Sequence, residues 1–359
     1  MCRLLYRYYT PPLHEVGELR TVLHIGPVES KGGMQATIHH HLKHPPVGWK
    51  TESINTHVDG SVMSKINEWR SAKKELKKRL NENPPDIAHI HTATRFSWWR
   101  KLRAIKMCIS AKVPIILQVH AGNFHQFLLD KPSASTSFIE LANHPLVTPV
   151  ALTPRHKKEI GLSNMAVIGS PAPSIKQIDP SKRNRTDLIL LARPSPIKGH
   201  KLAISSVLKL RDRGYPVNLY LSGILPSHAW VRSLGPDDGI NALGWLTGEE
   251  KDELLENAGM LLIPSKFEGM PVSAMEALSC GLPVLSSPAC DGILGDGGKI
   301  VEKLDSDSWA DAITEVLNDE EMWRKMSEGG PKAVSQQTPE ALGKKWAELY
   351  EKSLKEILK

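Results

Sequence analysis

Cysteine is scarce: Cys2, Cys108, Cys280 and Cys290 are the four in 359 residues, and no two of them stand at a metal-ligand spacing. They sit singly in apolar or loop contexts, which suits free thiols in a reducing compartment. No stretch approaches the ~20 apolar residues that cross a bilayer. The N-terminal Met1-Cys2-Arg3-Leu4-Leu5-Tyr6-Arg7 leads into no apolar run of signal-peptide length. A cytoplasmic protein is expected, peripheral on the membrane at most. Signatures of RRM, KH and helix-turn-helix modules are absent, and the basic residues are not interleaved with a stacking sheet, so the net charge of +7 is not read as a nucleic-acid footprint.

What is present is ordinary globular composition, 40% hydrophobic and 24% charged, over a length greater than one core usually serves. Two domains follow. Lys and Arg gather in two helical stretches, Lys65 to Arg79 and Arg95 to Lys112, and the second also carries Phe96, Trp98, Trp99, Ile105 and Met107. That mixture fits either an amphipathic helix packed on a sheet or one resting on an anionic membrane surface through Trp98, Trp99 and the nearby cations.

Thr21 to Gly26 is a short apolar strand, followed by a loop with Gly32-Gly33 and a helical pattern from Met34 to about Leu42. Such a turn aims amides at a phosphate, although Gly32-Gly33 does not match GxGxxG. Ile87 to His91 and Pro114 to His120 read as buried parallel strands. The second half repeats the pattern, with strands at Asp187–Leu191, Val217–Leu221, Gly259–Ile263 and Pro283–Leu285 and helices near Lys201–Arg211 and Glu249–Asn257. Gly169 to Lys182, holding Pro171, Pro173 and Pro180, reads as a linker. The expected fold is α/β: two Rossmann-like parallel-sheet domains facing a cleft.

The most informative segment runs from Pro264 to Pro283. A strand ends at Ile263, Glu268-Gly269 occupy the loop, Pro271 suits a helix start, and Gly281 before Pro283 suits its end. Free amides of Gly269, Met270 and Val272 would then form an anion site between two carboxylates, Glu268 before the helix and Glu276 within it.

Here the sequence resembles the family 4 retaining glycosyltransferases of the GT-B fold, through Glu268, Gly269, Pro271, Glu276, Ala277, Gly281, Pro283 and Val284, and upstream through Arg193, Lys198-Gly199 and Gly244. The resemblance implies a nucleotide-diphosphate sugar as donor, with no metal and no bound cofactor. It implies that Arg193 and Lys198 bind the diphosphate, Glu268 meets the transferred sugar and Glu276 binds the ribose. It also places Gly32-Gly33 near the diphosphate and His120, a strand-end histidine, near the reacting sugar; Glu268, His120, Arg193 and Lys198 would be the catalytic set. A glycan or lipid-linked acceptor fits the family. The chain departs from it after Ser287, where relatives often have Gly-Gly-x-x-Glu and this sequence has Ala289-Cys290-Asp291-Gly292-Ile293.

The implied domains are 1–175 on the acceptor side, 176–338 for the nucleotide sugar, and a last helix, 339–359, packing back on the first. His39-His40-His41 with His44 is not read as a metal site, because consecutive helical side chains diverge. Asp305-Ser306-Asp307 is read as a helix N-cap rather than a DxD metal motif. Two other classes share these features: a sugar-nucleotide epimerase or hydrolase of the same fold, and a basic nucleic-acid-binding protein.

Overall fold

The computed structural model describes residues 19–357; Cys2, the basic and aromatic cluster at Arg3 to Tyr9, and Leu358 lie outside the described residues. The chain divides into two compact units, one running to Gly169 and resuming at Pro339, the other spanning Ser170–Thr338.

Unit 1 contains β1 (Arg20–Gly26), α1 (Gly33–Lys43), β2 (Trp49–Asn55), α2 (Val62–Glu82), β3 (Ile87–Thr92), α3 (Phe96–Ser110), β4 (Ile115–Val119), α4 (Phe124–Asp130), α5 (Pro132–Ala142), β5 (Val147–Ala151), α6 (Pro154–Ile160) and β6 (Ala166–Val167). Its six strands are parallel in the order β2-β1-β3-β4-β5-β6. The central strands are buried on both faces, as a sheet covered on both sides requires. Edge strand β2, Trp49-Lys50-Thr51-Glu52-Ser53-Ile54-Asn55, mixes polar with apolar residues, and so leaves no apolar run to read.

Unit 2 contains β7 (Asn184–Leu191), α7 (His200–Asp212), β8 (Asn218–Ser222), β9 (Ile240–Gly244), α8 (Gly248–Asn257), β10 (Ala258–Ile263), α9 (Val272–Ser279), β11 (Val284–Ser286), β12 (Gly298–Ile300), α10 (Ser306–Asn318) and α11 (Glu320–Ala333); α12 (Pro339–Ile357) returns to unit 1. The second sheet is also parallel, in the order β12-β11-β10-β7-β8-β9. Leu188, Leu190, Leu219, Leu221, Met260 and Leu262 form one face of it and pack on Val207 and Leu210 of α7 and on Trp309 and Ile313 of α10. Asp305 caps α10 by accepting from the Ser308 amide at 2.8 Å, which is the N-cap role its sequence position suggested.

The two faces of sheet 1 differ in kind. Leu23, Ile25, Ala88, Ile90 and Leu117 build a wholly apolar core with α2 and α3. The opposite face starts apolar, with Val22, Ile87 and Ile116 against Trp346 and Tyr350 of α12. Toward the carboxyl ends of the strands it turns polar: His24, His89, His91 and Gln118 are all fully buried there, and His41 of α1 lies against them.

The membrane-surface contact offered for Trp98 is corrected by the packing of α3. Trp98 is completely buried, edge-on to Phe124 and Phe138 at 5.8 and 5.7 Å between ring centroids. Lys101 is buried too, donating to Thr56 Oγ1, and Trp99 packs on the same core. The apolar side of α3 is spent on the sheet, leaving Phe96 as its exposed large apolar residue. Among the described residues no helix is long and apolar enough to cross a membrane. Trp98→Ala is expected to cost about 3–5 kcal/mol, as buried Trp truncations do, and Tyr350→Phe about 1–2 kcal/mol, because the buried His89 Nδ1 loses its partner at 2.9 Å; denaturant unfolding of the two variants measures both.

Candidate active site

In unit 2 the chain runs from β7 through β8 to β9 in one direction and from β10 through β11 to β12 in the other. The winding therefore reverses between β7 and β10. Crevices outside the carboxyl ends of strands at such a switch point are where open α/β sheets bind ligands.

Each of these two strands ends in a loop that leads into a helix. After β7 come Ala192 and Arg193, a 3-10 turn over Pro196–Lys198, and Gly199, which begins α7 with φ +72°. After β10 come Pro264 to Pro271 and then α9. The loops interlock: the Lys266 amide donates to the Ile197 carbonyl at 2.8 Å. A Cβ on Gly199 would lie 2.1 Å from the Pro264 carbonyl oxygen, so both the left-handed backbone and the close approach require glycine there.

The interlocking sets charge against charge. Lys198 Nζ sits 2.7 Å from Glu268 Oε1, whose side chain is only 8% exposed. One helical turn into α9, Glu276 Oε1 pairs with Lys251 Nζ of α8 at 2.6 Å. Arg193, exposed at the end of β7, has no ion-pair partner among the described residues. Neither α7 nor α9 receives a side-chain cap, and the first bonds of α9 begin with Ala274 and Met275 donating to Pro271. Two helix N-termini, two lysines held by carboxylates and one unpaired arginine thus surround the switch point, an arrangement suited to an anion carrying hydroxyl groups nearby.

Arg193, Lys198, Glu268, Gly269, Val272 and Glu276 are all gathered here. Met270 faces inward instead: it is buried, its carbonyl accepts from Ser170 Oγ at 2.7 Å, and its sulfur lies 3.2 Å from the Ser170 amide. The half-buried Val272 and Ser273 are therefore the start of α9 that a ligand can reach. Lys251 escaped the sequence reading, since nothing in Glu249-Glu250-Lys251-Asp252 distinguishes it from a solvated helix face.

In unit 1 the winding reverses between β1 and β3. Gly32 (φ +142°) precedes α1, again with no side-chain cap. The preceding loop is tied down, Asn55 Oδ1 accepting from Val28 at 2.8 Å and Asp59 from Lys31 at 2.9 Å, so Gly33 opens the helix with its amide uncommitted. His120 follows β4, its amide bonded to the Thr92 carbonyl and its Nε2 3.0 Å from His91 Nδ1. Burial pushes the His120 imidazole down to about 3, with cationic neighbours acting in the same direction, so it is neutral near pH 7.

One group of described residues brings metal-binding atoms close together: His24, His89 and His91 place one nitrogen each within 4.8 Å of the others. Those nitrogens are largely committed. His24 Nδ1 meets His91 Nε2 at 3.0 Å, and His89 meets the Tyr350 hydroxyl at 2.9 Å and Gln118 Oε1 at 3.2 Å. The histidines of α1 diverge: His41 enters this layer, while His39 Nε2 contacts the Val28 carbonyl at 2.9 Å. The buried trio escaped the sequence reading, although histidine at alternate positions of the apolar β3, His89 and His91, signals a polar stripe on one sheet face.

Two doubly wound parallel units, one with a charged, amide-lined switch point, define the class of GT-B proteins. Residues 172–333, within unit 2, match the model of the family described as glycosyl transferases group 1. A curated relative is the MMP alpha-(1->4)-mannosyltransferase of Mycolicibacterium hassiacum, 26% identical over 185 residues that cover 49% of this chain and 45% of the relative. The match thus spans about half the length of each protein. Among solved structures, WaaG, a glycosyltransferase involved in lipopolysaccharide biosynthesis, superposes with a TM-score of 0.64 at 14% identity, covering 92% of this chain and 99% of that one. S. aureus TarM, solved with fondaparinux, alpha-GlcNAc-glycerol and UDP, gives 0.63 at 14% identity over 77% and 58%. Likenesses at that identity establish the fold alone.

Gly199→Ala is expected to destabilise unit 2 by more than Gly214→Ala. Both positions have positive φ, but a Cβ at Gly214 meets nothing within 4 Å. The control isolates the roughly 1–2 kcal/mol of backbone strain, and the excess at Gly199, read from unfolding midpoints, reports the clash with Pro264.

Proposed function

We infer that this protein is a retaining glycosyltransferase that moves a sugar from a nucleotide-diphosphate donor to a glycan or lipid-linked acceptor. The observation that carries the reading is the unit 2 switch point, where Lys198–Glu268 and Lys251–Glu276 pairs flank two uncapped helix N-termini beside the unpaired Arg193. The family match of unit 2 and the UDP in the TarM structure support it.

Lys198 and Arg193 would neutralise the diphosphate, Lys198 turning from Glu268 toward the phosphate as the donor enters. Glu268, relieved of its lysine, would accept from sugar hydroxyls. Glu276 holds Lys251 through Oε1, and Oε2 would accept from a ribose hydroxyl. The α7 and α9 amides add fixed positive dipole where charge develops on the leaving group. Two cations and two helix ends can serve a leaving diphosphate in place of a metal ion. Glu268 and Glu276 both belong to the donor side in this reading, so neither is placed across the scissile bond as a nucleophile. A phosphate oxygen would take the acceptor proton, and attack from the leaving-group face retains configuration.

Calorimetric titration with UDP-, GDP- and ADP-sugars, with and without chelator, is expected to find one donor whose binding survives chelation. Glu276→Ala should weaken that binding roughly 10- to 100-fold, the worth of one charge-assisted hydrogen bond. Lys198→Ala should lower turnover on the order of 100-fold or more; wild-type turnover in a folded Lys198→Ala protein would remove Lys198 from the mechanism. Donor consumption without acceptor would mark a hydrolase or epimerase, and the anomeric configuration of the product, read by NMR, tests retention.

A further inference from the structure

Three histidines from three strands form a continuous chain across the polar layer of unit 1. His24 Nδ1 (β1) lies 3.0 Å from His91 Nε2 (β3), and His91 Nδ1 lies 3.0 Å from His120 Nε2 at the end of β4. We propose that His24 and His91 are positioning residues that hold His120 as its Nδ1–H tautomer, so that His120 presents a hydrogen-bond donor rather than a base at the carboxyl edge of the sheet.

Proton counting supplies the argument. All three rings are neutral near pH 7: burial pushes His24 and His120 to about 3 and His91 well below its usual range, and no carboxylate acts on any of them. Three neutral imidazoles carry three N–H protons on six nitrogens. Each N···N contact must hold one proton and one lone pair, so only two arrangements satisfy both contacts. In the first, every ring is protonated at Nε2: His120 donates to His91, His91 donates to His24, and His24 Nε2–H is left over. In the second, every ring is protonated at Nδ1: His24 donates to His91, His91 donates to His120, and His120 Nδ1–H is left over.

The two ends of the chain decide between them. His24 Nε2 is completely buried and has no hydrogen-bond partner. His41, stacked on His24 at 4.9 Å between centroids, leaves its own Nε2 equally unpartnered. His120, in contrast, is half-buried, and its Nδ1 is not among the buried unpartnered atoms. An N–H stranded in the interior is the rarer and costlier defect, whereas a bare lone pair there is better tolerated. The third proton therefore belongs at the open end, on His120 Nδ1. Neighbouring His89 stands outside the chain, bonded to Tyr350 and Gln118.

The tautomers can be read directly in protein labelled with 15N in the histidine rings, by two-bond proton–nitrogen correlation with assignment by single substitution. The expected spectrum at pH 7 shows His24, His91 and His120 all protonated at Nδ1 only. Protonation at His120 Nε2, an imidazolium, or bare nitrogens at both His24 Nδ1 and His91 Nε2, as a bound cation requires, would overturn the proposal. His24→Leu removes the far donor and should release His120 into a mixture of tautomers, while His24→Gln, whose amide can still donate to His91 Nε2, should preserve Nδ1–H. Identical His120 spectra in the two variants would also overturn it, and His91→Leu repeats the test one link nearer should His24→Leu not fold.

The functional consequence rests on the glycosyltransferase reading with His120 beside the reacting sugar. In that case His24→Leu lowers kcat roughly tenfold with KM for the donor unchanged, and His24→Gln restores it. The spectra need no substrate, so loss of the transferase reading would leave the tautomer result standing.

Discussion

Parallel strand direction is the constraint from which the rest of this structure follows. With all strands of a sheet pointing one way, every loop leading from a strand into a helix emerges at the same edge, and every such helix turns its N-terminus toward that edge. Reversal of the winding then opens a crevice between two first-laid strands, β7 and β10 in unit 2 and β1 and β3 in unit 1. The glycine at position 199 and the interlocked loops around Pro264 are the local cost of bringing two such turns together, and they place Lys198 against Glu268.

The two units handle polar groups at their switch points in opposite ways. Unit 2 uses full charges, each carboxylate matched to a lysine within 3 Å, and the positive helix ends remain uncapped beside them. Such pairs are poised to exchange partners, since an arriving anion replaces one carboxylate with another acceptor. Unit 1 uses neutral rings. Its buried layer of His24, His41, His89, His91 and Gln118 contains no carboxylate, and burial keeps each of those imidazoles uncharged. Stacking at 4.3 Å between His89 and His91 fits rings without mutual charge repulsion. Hydrogen bonds between strands and to Tyr350 of α12 satisfy most of the layer, which gives it a defined arrangement instead of an apolar slip plane.

Much of this architecture could be read along the chain. Most central strands announced themselves as apolar runs, β5 (Val147–Ala151) with its Thr148 and Pro149 being the exception, and the segment from Ile263 to Pro283 showed a strand end, a loop and a helix with its carboxylates already spaced. Edge strands β2 and β9 did not, because a strand with one open side carries polar residues that break the run. Trp98 stayed undecided between two readings for a related reason: a basic and aromatic helix has the same composition whether its aromatic side meets a membrane or Phe124 and Phe138.

The sequence by itself determined the α/β class, the doubling of the pattern and the placing of Glu268 and Glu276 around one helix start, because each depends on periodicity or on local spacing, while Arg193 and Lys198 were singled out by the family resemblance. Tertiary structure alone decided which charges pair across 70 and 25 residues, that Met270 turns inward to Ser170, and that His24, His91 and His120 touch. Those contacts join strands far apart in sequence, and they depend on the sheet order and register, which local propensity does not encode.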